Sequence, residues 1–179
     1  MARDSWVADR IQEFDRLRGR WVKAWSGVEM ALREEAALGG GPQFEDPAVA
    51  CLQMLVLGAH LSDDSFVTVG TYQDDDVWGL RLGQQTNYAS AEWTGIYRLR
   101  GLPELPIGEI NDVSVLLDEE LLAEVVLRIH GQPVLLMAGE VYESAENRLS
   151  LVALDESVLV FTDPSAAESS EWVPKQRRK

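Results

Sequence analysis

The stretch DSWVADRIQEFDRLRGRWVKAWSGVEMALREEAAL, residues 4–38, decides how the fold is read. Its apolar residues Val7, Ile11, Phe14, Trp21, Trp25, Val28 and Leu32 recur at alternating steps of three and four. Arg18 alone breaks the series, and its neighbour Leu17 can cover the same face. That spacing is the period of an amphipathic helix. It predicts one long helix over residues 1–38, opened by Asp4 or Ser5 and stopped by Gly39-Gly40-Gly41-Pro42. Gly19 and Gly27 each cost about 1 kcal/mol relative to alanine inside a helix, so a bend near Gly19 is expected.

Beyond a glycine and proline linker at 39–46 the pattern turns to β. Cys51–His60 reads as a strand, with a helix begun at Asp46-Pro47 as the alternative. Leu61 to Ser65 then turns the chain into Phe66–Tyr72, and Gln73 to Asp76 turns it again into Val77–Leu82. Residues 83–95 form a long polar loop, a kind that often carries function. Ile96–Leu99, Ile110–Leu117, Leu122–Ile129, Val134–Ala138, Arg148–Leu154 and Ser157–Thr162 supply further strands, separated by acidic or Gly/Pro turns. Residues 140–145 read as irregular, and order ends near Pro164. The expected class is α+β: a long N-terminal helix, then an acidic body over 47–164 of about eight mostly antiparallel strands in one or two sheets, then a tail over 165–179.

Charge is segregated along the chain. Residues 1–33 carry a net +2, residues 34–174 a net −20, and the last five, Lys175-Gln176-Arg177-Arg178-Lys179, a net +4. Such a field repels nucleic acid and anionic membranes and favours a basic protein partner. The longest apolar run, Leu52–Leu61, is about half of the roughly 20 residues a membrane-spanning helix needs. One cysteine, Cys51, forms no internal disulfide and suits a reducing cytoplasm, and the charged N-terminus does not resemble a secretory signal.

Catalytic motifs are absent from the sequence. No Gly-x-Ser-x-Gly elbow occurs, and the two imidazoles, His60 and His130, each close an apolar run before a turn. Asp74-x-Asp76 begins like a calcium loop, but Gln85 stands where a bidentate glutamate belongs. No cofactor or metal site is expected. The leading expectation is a non-catalytic, acidic protein-binding module of the immunity or inhibitor type. Asp63, Asp64, Asp74, Asp75, Asp76, Glu119 and Glu120 would draw in a basic partner, with Trp78 or Trp93 as anchors. The alternatives are an assembly subunit that forms a homo-oligomer along the Val7 to Leu32 seam, and a metal-dependent enzyme using His60 with Asp63 or Asp64.

Overall fold

Trp21–Met30 is a β-strand, so the long N-terminal helix and the α+β class both give way to a mostly β architecture. The computed structural model describes residues 2–36, 38–84 and 87–172. Helix α1 covers Ala2–Asp15, a turn occupies residues 16–20, and β1 (Trp21–Met30) follows. Gly19, at φ +78°, makes that turn, and its N–H donates to the Ile110 carbonyl at 2.8 Å. The physical reason for the misreading lies in two irregularities of β1. Its pairing register slips between Val22 and Ala24 and again between Val28 and Glu29. A bulge adds a residue to an alternating pattern, so inward side chains Val22 and Trp25 stand three apart and imitate a helical step.

Ten more strands follow: β2 (Leu52–Leu61), β3 (Phe66–Asp74), β4 (Val77–Gly83), β5 (Tyr97–Gly101), β6 (Gly108–Asp118), β7 (Leu121–Ile129), β8 (Gln132–Glu143), β9 (Leu149–Ala153), β10 (Ser157–Phe161) and β11 (Glu171–Trp172). All belong to one sheet, antiparallel except where β11 runs parallel to β9. Residues 140–143, expected to be irregular, continue β8. Order also extends past Pro164, through a 3-10 turn at Pro164–Ser169 and then β11. The basic end at 175–179 lies outside the described residues. The glycine linker is a reverse turn with Gly39, Gly40 and Gly41 all at positive φ, and it folds Gln43 back against Arg33.

The sheet closes on itself. β10 pairs with β2 on one edge and β8 on the other, β8 continues through β7 to β6, and β6 returns to β1 through Trp21↔Glu109 and Val22↔Gly108. Closure satisfies strand edges that would otherwise invite association. Inside lie Val22, Trp25, Met54, Leu57, Val113, Val125, Leu127, Leu136, Val158 and Val160, joined by Phe14 and Leu17 from the N-terminal segment. A second layer covers the outer face of β8 and β10, where Leu135, Met137, Leu159 and Phe161 pack with Leu32 and Ala167. The proposed helical seam is therefore divided. Val7, Ile11 and Phe14 stay on α1, Trp21, Trp25 and Val28 sit on β1, and all but Ile11 and Trp21 are buried.

This difference gives a test with opposite signs. A Cβ on Gly27 would lie 2.4 Å from the Val56 carbonyl oxygen across the β1–β2 ladder. Gly27→Ala should therefore destabilise the protein by about 1–3 kcal/mol in denaturant unfolding. The helix first expected at this position would instead gain about 1 kcal/mol from the same change.

Candidate functional site

Most positive charge in the barrel is spent internally. The Glu29 carboxylate, 1% exposed, accepts from Arg98 Nε and Arg100 Nε, each at 2.6 Å, and Arg100 also reaches Glu104 at 2.6 Å. Both arginines come from β5, which pairs with β1 so that Glu29 stands opposite Arg98. A buried carboxylate needs such partners, because an isolated one is strongly disfavoured away from water. Arg33, also buried, is held by Glu143, by Asp46 at 3.4 Å and by the Asn147 carbonyl at 2.9 Å.

The first acidic turn is spent in the same way. Asp63 pairs with Arg20 at 2.6 Å and Asp64 with Lys23 at 2.5 Å, tying the β2–β3 turn to the start of β1. Hydrogen bonds from the Ser65 side chain and amide, with Arg20 nearby, hold the Asp63 carboxyl below the usual range. His60 does not join these acids. Its Nε2 lies 2.9 Å from Ser26 Oγ, and its ring packs at 4.6 Å on Phe66. Among the described residues no group of three or more His, Cys, Asp or Glu is arranged to hold a metal. His130 packs edge-on against Trp21. Burial pushes the Cys51 thiol up to about 12, so at neutral pH it is a protonated wall residue of an apolar cavity of about 630 Å³ beside Arg100 and Glu104.

The other two acidic turns meet. The β3–β4 turn carries Asp74, Asp75 and Asp76, and the β6–β7 turn carries Asp118, Glu119 and Glu120. Asp75 at φ +53° and Glu119 at φ +56° take the left-handed conformation that lets each turn be short. Both turns border a shallow groove of about 200 Å³ lined by Trp6, Val7, Tyr72, Gln73, Asp74 and Glu120. Trp6 packs edge-on against Tyr72 at 4.5 Å and remains 37% exposed. Sequence reasoning found these acids but named Trp78 or Trp93, and not Trp6, as the anchor beside them. Leu116 and Leu117, exposed on the strand entering the second turn, went unremarked.

Trp78 and Trp93 share a different site. The edge of β2 opposite β1 pairs with β10 over residues 52–54 and with β3 over 57–60. Leu55 and Val56 lie at the fork between them, and a cleft of about 670 Å³ opens there. Its lining includes Trp78, Tyr88, Trp93, Tyr97, Arg81 and Glu156. Residues 87–96 supply Tyr88 and Trp93, which are cross-braced by Trp93 Nε1 donating to the Tyr88 carbonyl at 2.8 Å. Tyr88 Oη lies 3.3 Å from Ser26 Oγ, and burial pushes its phenol pKa upward. Gly58 makes room for this ring, since a Cβ there would stand 2.2 Å from Tyr88 Oη. Leu154, buried at φ +65°, accepts from the Trp78 N–H at 3.0 Å and so anchors the start of β4 beside the cleft.

Next to Glu156 stand Asp155 and Glu140. Burial first, then the charges of Asp155 and Glu156, push the Glu140 carboxyl up to about 7. Tyr142 Oη donates to Asp155 at 2.8 Å. Because the Glu140 pKa is about 7 folded and near 4.5 unfolded, the folded chain binds this proton more tightly, and stability should rise as pH falls through that window. Asp46 and Asp63 act oppositely. Their carboxyls are depressed, chiefly by hydrogen bonds from the Ala48 amide and from Ser65, so their contribution is lost at lower pH. The melting temperature should therefore climb from about pH 7.5 to about pH 5 and fall below about pH 4, and Glu140→Gln should flatten the climb while leaving the acid fall. No family model matches the chain, and neither a curated protein nor a solved structure resembles it significantly.

Proposed function

We propose that this chain is a non-catalytic binding module that captures a basic protein, in the manner of an inhibitor or immunity protein. The supporting observation is the convergence of the Asp74–Asp76 and Asp118–Glu120 turns around the groove of Trp6 and Tyr72. Long-range attraction from a net charge of −14 speeds encounter, and an aromatic anchor supplies the slower dissociation that charge does not. The acids at Asp63 and Asp64 play a lesser part, because Arg20 and Lys23 already occupy them. Trp78 and Trp93 stand in the separate cleft, so Trp6 replaces them as the anchor of this surface.

The test is capture of partners from native lysate by the tagged chain, followed by kinetics with whichever basic protein is recovered. Reversing charge at Asp75 and Glu119, on the two different turns, should slow association about 10-fold or more at low salt and remove most of its salt dependence. Trp6→Ala should mainly speed dissociation, and reversal at Asp63 should change little. Recovery of no basic protein, or of one whose binding is indifferent to all these changes, would defeat the proposal.

A further inference from the structure

The cleft at the β3/β10 fork carries a second kind of recognition, independent of the acidic end. Ligand sites are typically concave, mostly apolar, about 300–1,000 Å³, with a few placed polar groups. This cleft has about 670 Å³, four aromatic side chains in its lining and two charged ones, Arg81 and Glu156. The two charges do not form an ion pair with each other, since no nitrogen to oxygen distance between them is within 4.0 Å.

That separation is informative in this protein. Arg18, Arg20, Lys23, Arg33, Arg98 and Arg100 each have a carboxylate within 4 Å, and acids outnumber bases by 30 to 16. Arg81, like Arg16 and Arg128, pairs with no acid among the described residues, and of these three it is the one that lines this cleft, which a glutamate shares. On the other side, Glu156 and its neighbours Asp155 and Glu140 have no basic partner among the described residues. A purely anionic ligand in the cleft would leave Glu156 unpaired, and a purely cationic one would leave Arg81 unpaired. A molecule with a negative group at one end, a positive group at the other and a ring between satisfies both charges and stacks on the aromatic walls.

We propose that this cleft is a binding site for a small ring-bearing zwitterion, its anionic group on Arg81, its cationic group by Glu156 and its ring against Trp78, Trp93 and Tyr97. Tyr88, fixed through Ser26 and through the space left at Gly58, holds the loop that forms one wall.

The experiment is a titration of the full chain with four probes on the same para-substituted benzene ring, para-aminomethylbenzoate, para-methylbenzoate, para-methylbenzylamine and para-methylbenzamide, followed by the indole N–H signals in nitrogen-edited NMR. Trp93→Phe assigns its own signal. The zwitterion should shift the Trp93 and Trp78 signals saturably and bind at least about 10-fold tighter than any of the other three. Arg81→Gln should erase its advantage over the benzylamine, and Glu156→Gln its advantage over the benzoate, with both variants melting as the parent does. Equal binding of all four probes, shifts confined to other tryptophans, or no saturable shift with the zwitterion would overturn the inference. None of these outcomes depends on whether a basic protein binds the acidic end.

Discussion

β10 is the seam on which the molecule depends. Its five residues, Ser157–Phe161, are all buried and are hydrogen-bonded on one edge to β2 and on the other to β8. Without it, β2 and β8 would each present an open edge, and the interior lined by Val158 and Val160 would face water on that side. Its outward residues Leu159 and Phe161 bury the second layer as well, so one short segment is shared by both hydrophobic clusters. The cleft follows from the same feature. β10 is too short to run the length of β2, and where it ends the edge passes to β3, leaving the fork that the aromatic residues line.

Charge is organised around this frame rather than spread over it. Bases near the ends of β1 and on β5 are consumed by Glu29, Glu104, Asp63 and Asp64. The buried Glu29 pairs fix β5, and losing one partner there is costly, whereas the exposed pairs of Asp63 and Asp64 at the β2–β3 turn add little net stability. Acids also gather on the β3–β4 and β6–β7 turns, Asp74 to Asp76 and Asp118 to Glu120. The basic partner expected from the sequence and the acidic end seen in the fold share one origin, the excess of 30 acids over 16 bases.

Much of the β body was legible from residues 66–82 and 110–162, because regular alternation bounded by Asp, Gly and Pro turns has few other readings. Residues 21–32 were not, because the register slip between Val22 and Ala24 sets the inward Val22 and Trp25 three apart, and Val28, buried on the opposite face, extends the series. The Gly19 turn was foreseen as a bend, but the strand after it was not, since strand and helix share an apolar count and differ only in phase. For the sites, acidic turns could be named from sequence, whereas their grouping is set by closure and no local pattern reports it. Trp78 and Trp93 share one cleft because β2 changes partners, and Arg81 and Glu156 come to the same lining only through that change.

Residue-resolved hydrogen exchange on the native chain tests the closed sheet most directly. The amides of Val158, Leu159 and Val160 should exchange together with those of Leu52–Met54 and Leu135–Gly139, through global unfolding alone and with the full denaturant dependence of the protein. Independent, rapid exchange of the β10 amides while β2 and β8 stay protected would mean that β10 is an appended strand and not the seam, and the account of both barrel and cleft would fail with it.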